Sequence, residues 1–444
     1  MANYNSGQVK VATPGSQTAL SLTQGSRRLY DFSDRVADLS PEESPFFVYL
    51  SKVGKVPTSD SQFRFLEDRT KIAMTDRTFT TSSNLGAIAE DTTDTMTVSS
   101  SPWLIKGMVV MVSAAHSGAG AGSNSATCVI TAVNSATEIE IRWLRESSVA
   151  VSIDGSSTAV NCQVIGTSYA EGSGAPDVFS QELDHDYGFT QIFKTACEMS
   201  NTARATVYRG YADEWQRIWN LKLREHKIDI ERAMLFGQRA QVGGVNYSEG
   251  IVGHIIAEGS APTADTTQLS YSEGKAYHKS IESGSMTYDN FLSDLEVVFD
   301  PARGGSSSKL ALCSLPVISL FNKLGDGAFI DASLGHSSHP FAYNFDSGKG
   351  TFGHKVMKVD TVHGDITLVK EPLFRGLAST FMALVDLDHV SYRPLVGNGI
   401  NRDTSITTNV QQADEDLRKD MILTEAGLEI TLPETHALFN IEGA

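Results

Sequence analysis

The sequence predicts an α+β chain with a small all-β module inserted along it. Three observations carry this. Residues 206–238 keep a helical period with no proline, residues 102–170 hold short β-rich runs parted by Gly, Ser and Asn, and residues 284–385 alternate helix-like and strand-like patterns. The chain is 444 residues long, which as a prior means about three domains. At 41% hydrophobic and 20% charged residues it can bury a sizeable core and is not a disordered chain.

Taken in order, residues 1–28 are Gly-, Ser-, Thr-, Asn- and Gln-rich and too poor in large apolar side chains to offset their own ordering entropy. Such an arm is either held by a neighbouring subunit or is a floppy terminus. Ser44 is placed to cap a short helix with Pro45 in its first turn, Phe46, Phe47, Leu50 and Val53 on one face and Gly54 at its end. Gln62–Asp68 alternates as a strand does. Residues 78–100, with 11 Ser or Thr among 23, read as a long extended excursion.

Within 102–170 the β-rich runs are 107–112, 126–133, 138–144 and 159–165, so 76–175 reads as an out-and-back excursion carrying the module. The helix expected at 206–238 carries Tyr208, Tyr211, Trp215, Ile218, Trp219 and Leu223 at helical spacing, then Ile230 and Met234, and Gly237 stops it. At ~1.5 Å per residue it would span roughly 50 Å, long enough to act as a spine. Further on, Thr287 caps a helix ending at Pro301 and Gly304-Gly305. Strands are expected at 309–314, 354–360, 365–369 and 379–385, with a second helix opening at Pro316. Residues 389–395 and 427–433 would complete an adjoining sheet.

The formal net charge is −17, which excludes a generally basic nucleic-acid coat. Of the segments 1–60, 61–205, 206–240, 241–330 and 331–444, only 206–240 is net positive, with seven basic and five acidic side chains. No apolar run is long enough to span a membrane, and MANYNSGQVK has no secretory h-region. Four cysteines without a CxxC pair argue against a disulfide scaffold or a Cys-rich zinc site, and for a reducing cytosol.

Chemistry is hard to find. Gly348-Lys349-Gly350-Thr351 lacks the rest of a P-loop, and Gly118-Ala119-Gly120-Ala121-Gly122 is followed by no helix. His336 and His339 sit in a loop beside Pro340 and read as surface histidines. Asp386, Asp388 and His389 form a tempting cluster, but a strand would turn His389 away from the two carboxylates; a polar sheet edge is the plainer reading. His226 and Glu231, five apart, miss the i,i+4 face. No catalytic, cofactor-binding or metal-ligating set is expected. The aromatic stripe Tyr211, Trp215 and Trp219 reads as core or subunit interface.

The order of these features resembles the major capsid proteins of tailed bacteriophages with the Hong Kong 97-like fold: N-terminal arm, E-loop, spine helix, P-domain and A-domain. The residues that carry the resemblance are Ser40, Pro41, Ser44, Pro45, Phe46, Phe63, Phe65, Glu67 and Asp68 before the E-loop, 231–237 at the end of the spine, and 418–439 near the C-terminus. The chain is similar to the group carrying an inserted β module in the E-loop.

The resemblance implies an arm with short helix and strand at 1–75 and an E-loop at 76–193 with its module at about 102–170. It implies a first P-domain part at 194–283, an A-domain at 284–385 and a second P-domain part at 386–444. The function it implies is that of a non-enzymatic shell subunit. Hexameric and pentameric capsomers of like copies would assemble in the host bacterial cytoplasm and enclose double-stranded DNA in the virion. Portal, and scaffold or cement proteins, would be the other partners, with no membrane. Trp215, Trp219 and Tyr211 are the interface candidates. Arg209, Arg217, Lys222, Arg224 and Lys227 are candidates for weak DNA contacts or subunit ion pairs.

Some such capsids crosslink an E-loop lysine to a neighbour's asparagine. Here only Lys106 lies between Lys71 and Lys194, so no autocatalytic crosslink is expected. No charged helical segment precedes the arm, so a fused scaffold is not expected either. The alternatives are another phage structural protein, of the tail or receptor-binding class, or a hydrolase with a dispersed site of Asp386, Asp388 and His363.

Overall fold

Strands dominate the structure, a computed structural model; some alternate buried and exposed side chains, as in Gln191–Ser200, and others are buried almost throughout, as in Phe381–Val385. It describes residues 46, 50, 55–68, 77–81, 87–88, 91–99, 103–113, 125–144, 151–152, 161–178, 182–208, 213–259, 276–282, 286–321, 345–349 and 355–442.

Six strands pair antiparallel in the order Thr78–Thr80, Asn161–Thr167, Met108–Ser113, Ser125–Ser135, Glu138–Trp143, Thr93–Thr97. A bridge between Thr81 and Val98, with Ser99 N donating to Thr80 O at 2.7 Å, joins the two outer strands. The sheet thus closes into a small barrel. Met96, Val98, Met108, Val110, Val112, Cys128, Ile130, Ile139, Ile141 and Trp143 fill its interior as one buried cluster. The barrel begins earlier than the expected 102. Phe79, Met96 and Val98 are buried and alternate with exposed or half-buried threonines, so the Thr-rich stretch supplies two strands rather than a bare excursion. Threonine is β-branched and suits a half-buried strand.

The remaining described residues form a body with two main sheets. In the first, Gln191–Ser200 pairs with the 14-residue strand Leu417–Ile430, which also pairs with Val390–Pro394 and Ser405–Thr407. The long strand begins ten residues before the expected 427. Lys55 and Thr58 bridge in parallel to Tyr392 and Leu395. The ribbon Gln62–Glu67 with Asp184–Phe189 leads away toward the barrel at one end and back at the other.

The second sheet has seven strands in the order Tyr277–Ile281, Ala437–Ile441, Phe381–Val385, Ser308–Cys313, Asp365–Lys370, Lys355–Asp360, Phe345–Lys349. Its first two strands lie outside the expected 284–385 block. Tyr277–Ile281 pairs in parallel with Ala437–Ile441, which is far away in sequence. Helices Tyr288–Val298 and 315–321 cover one face with Phe291, Leu295, Val298, Val317 and Phe321. Thr287 Oγ1 caps the first of them by accepting from Asn290 N at 3.3 Å, as its sequence predicts.

The spine helix is Glu214–Phe236, of 23 residues, about 35 Å at ~1.5 Å per residue. It starts eight residues later than expected because Asp213 caps it, accepting from Gln216 N at 3.3 Å. A separate short helix, Asn201–Ala205, precedes it. At its far end Gly237, Gly250 and Gly253 allow helix Ile251–Glu258 to meet it backbone to backbone. A Cβ on Gly253 would lie 2.2 Å from Gly237 O. One buried cluster runs through the whole body: Phe46, Leu50, Ile230, Met234 and Ile255 join Leu310, Leu312 and Val385 of the seven-stranded sheet and Tyr392, Leu428 and Ile430 of the other.

Candidate functional site

The candidates named from sequence lie mostly on the first half of the spine. No side chain of Glu214–Glu225 is fully buried, whereas His226, Ile230, Glu231, Met234 and Leu235 are. Trp215 and Trp219 are half-buried. Two guanidinium groups approach the Trp215 ring, Arg418 at 4.8 Å and Arg204 at 5.9 Å from its centroid, a favourable placement of cations over an indole face. Leu221 is exposed.

The basic candidates are largely engaged on the helix itself. Arg217 Nε donates to Glu214 at 2.9 Å, and this guanidinium holds Glu214 below the usual carboxylate range. Lys222 pairs with Glu225 at 2.7 Å. Arg224 and Lys227 are exposed. Arg209 and Tyr211 lie outside the described residues, as do His336, His339, Gly350, Thr351 and the Gly118–Gly122 run.

His226 is a structural pin. Its ring nitrogens meet Thr195 Oγ1 and Thr424 Oγ1, each at 2.9 Å, which ties the spine to two neighbouring strands. Burial pushes its pKa down. Glu231, one turn on, faces elsewhere. It is fully buried and interacts with Glu371, which follows strand Asp365–Lys370. Burial and then Glu231 push the Glu371 carboxyl up to about 8, against hydrogen bonds from the Leu373 and Phe46 amides.

The sequence reading missed the joint between the two sheets. The chain crosses it in a turn from Asp386 to His389 and again through residues 431–436. Asp386 is no sheet edge. Its side chain is fully buried and accepts from Ser306 N at 2.6 Å, Asp388 N at 3.1 Å and Ser306 Oγ at 3.2 Å. Lys309 is 1% exposed. Its Nζ donates to Thr435 O at 2.7 Å and stands 3.6 Å from Asp386 Oδ2. Burial pulls the Lys309 pKa down, and Asp386 opposes this.

Arg303 Nε donates to Glu434 O at 3.0 Å, and Leu432 N donates to Glu67 Oε1 at 2.7 Å. Thr431 N donates to His389 O at 2.9 Å. Asp386 N donates to His436 Nδ1 at 3.2 Å, linking one crossing to the other. Gly305, at φ +89°, is needed beside this cluster: a Cβ there would lie 2.8 Å from Asp386 Oδ2 and 3.1 Å from Lys309 Nζ.

Asp386 therefore caps and pins. Asp388 and His363 are exposed, while Asp386 is fully buried. Among the described residues no group of three or more His, Cys, Asp or Glu side chains could hold a metal ion. No described helix is long and apolar enough to cross a membrane. A buried lysine in a strand was the available signal for the joint, since an ammonium in a core requires a partner.

The family model described as SU10 major capsid protein matches residues 12–442. No functionally curated protein matches. Among solved structures, a cyanophage A-1(L) capsid subunit is 9% identical over 95% of this chain and 99% of its own, with a TM-score of 0.49. A chain of the capsid of a native GTA particle is 9% identical over 96% and 98%, with a TM-score of 0.43. One from the mature capsid of bacteriophage PhiM1 is 13% identical over 64% and 80%, with a TM-score of 0.40. These likenesses are distant, and the family match carries the identification.

Proposed function

Because the chain belongs to the SU10 major capsid protein family, we propose that its copies form hexameric and pentameric capsomers of an icosahedral shell that encloses packaged double-stranded DNA. The family match over 12–442 is the observation that carries this reading. The element order supports a Hong Kong 97-like subunit. In that reading the ribbon Gln62–Glu67 with Asp184–Phe189 is the base of the E-loop, and the barrel is inserted at its end. The sheet under the spine is the P-domain, and the seven-stranded sheet is the A-domain.

A shell subunit needs a rigid body and projecting ties. The shared core of the two sheets makes the body rigid. Val178, Leu183 and Leu66, exposed on and beside the ribbon, are apolar surface that a neighbouring copy would cover. Flexible ties lose entropy on docking but gain avidity over many copies. The net charge of −17 keeps general DNA affinity low, so enclosed DNA can slide. The subunit does no chemistry in this reading, and boiled particles run as one monomer band without a crosslinked ladder. Portal proteins, and scaffold or cement proteins, are the remaining partners in this reading, and the virion is its final location.

Electron microscopy of the purified recombinant chain tests the function. Uniform shells or capsomers are expected; monomers that never assemble, alone or with the proteins of the particle, would count decisively against it.

A further inference from the structure

We propose that His436 is a proton-sensitive latch: the joint between the two sheets holds while its imidazole is neutral and lets go when the ring takes a second proton. The geometry carries this and does not depend on the shell reading. Asp386 N–H points at His436 Nδ1 at 3.2 Å. A main-chain amide always carries its proton, so Nδ1 must offer a lone pair and the ring must be the neutral Nε2–H tautomer. An imidazolium would set one N–H against another. The ring is fully buried, so no water can take over the bond from Asp386 N without the joint opening.

The groups around it cannot absorb a new positive charge. From strand Ser308–Cys313 and the turn before it come Lys309 and Arg303, both cations and both buried. From the Asp386–His389 turn come Asp386 and His389. The Asp386 carboxylate already takes three hydrogen bonds and faces Lys309. From helix Ile251–Glu258 comes buried His254, whose Nδ1 is 3.3 Å from Glu249 Oε1; Glu249 is also 3.6 Å from Arg239. On its own segment Glu434 is buried beside Arg303, and Glu67 is committed to Leu432 N. Burial first, then Lys309, His254 and His389, push the His436 pKa well below its usual 6.5, against a smaller upward pull from the Thr431 backbone.

The sign follows from that direction. A histidine held neutral in the folded state contributes stability at pH above its ordinary pKa. That stability is lost as pH falls below about 6.5 toward the depressed value. Protonation removes the acceptor for Asp386 N and places a cation beside Lys309. The contact between the two crossings breaks, and the angle between the sheets is no longer held.

The test is hydrogen exchange of the full chain by mass spectrometry from pH 7.5 to 5.0, corrected for the intrinsic chemical rate. In the wild type, peptides covering 381–395 and 428–441 should exchange faster as pH falls, by up to about tenfold per pH unit, the slope of one linked proton. The barrel, whose described strands carry no histidine, should not follow. His436→Asn keeps an acceptor for Asp386 N but cannot be protonated, and it should abolish the rise while retaining protection at pH 7.5. An equal rise in this variant, an equal rise across the barrel, or no rise in the wild type would each overturn the latch. Should His436→Asn not fold, histidine-selective nitrogen-15 spectra of the wild type follow the same proton directly. One imidazole should remain the neutral Nε2–H form at pH 7.5 and gain its proton over the range in which the joint opens; its absence would overturn the proposal.

Discussion

The barrel and the joint solve the same problem, holding strands in register, by opposite means. Inside the barrel the buried cluster is apolar, with Cys128 and Cys162 as its softest members and Thr81 buried at the closing bridge; burial pushes both thiols up to about 12, so they act as small hydrophobes. Closure comes from the backbone bridge Thr81–Val98. The joint instead buries Lys309, Asp386 and His436 and relies on directed hydrogen bonds. Apolar packing tolerates small shifts and is blind to pH. A buried ion pair fixes one geometry, and removing one partner strands the other.

The contrast is tested hardest in the barrel. Trp143, fully buried at its centre, should cost about 3–5 kcal/mol when replaced by Ala. Exchange of the barrel amides should then speed up while the spine Glu214–Phe236 stays protected. Loss of both together would show that the barrel does not have a core of its own.

Asp386→Asn comes next. It leaves the Lys309 ammonium buried without its counter-charge and should cost about 3 kcal/mol in chemical denaturation. Lys309→Met added to it should recover part of that loss. If the double variant is no better than the single one, the pair is not what holds the joint.

The smallest effect per step is a slope, at most about 1.4 kcal/mol per pH unit. Glu371 carries its proton in the fold up to about pH 8, against an ordinary 4.5, so its stabilising contribution is present below 4.5 and is lost as pH rises toward 8. Glu371→Gln should flatten the fall in stability over that range. Its sign is opposite to that of His436, so a pH titration of each variant separates the two. An unchanged alkaline slope would remove Glu371 as the titrating group.

Local patterns were legible where one stretch of chain carried its own answer. Four barrel strands, the helix capped by Thr287 and the strands at 309–314, 354–360 and 365–369 appear close to where periodicity places them. Other signals were present but unread. Asp213 is a capping residue that marks the spine's true start, and Phe79, Met96 and Val98 alternate within the threonines. The spine's tryptophans had the helical spacing of a core stripe, yet Trp215 and Trp219 stay half-buried in a single chain. Spacing reports one apolar face and says nothing about which neighbour covers it.

By itself the sequence determined the α+β class, the inserted β-rich module, the uninterrupted spine and the lack of a generally basic coat. These rest on interactions between residues a few positions apart or on simple charge. Only the tertiary structure decided that Tyr277–Ile281 would pair with Ala437–Ile441, that the module would close on itself, and that Lys309, Asp386 and His436 would meet. Those contacts join segments from 17 to 160 residues apart. Which distant partner wins depends on the fit of whole surfaces and on the cost of leaving a buried charge or amide unpaired.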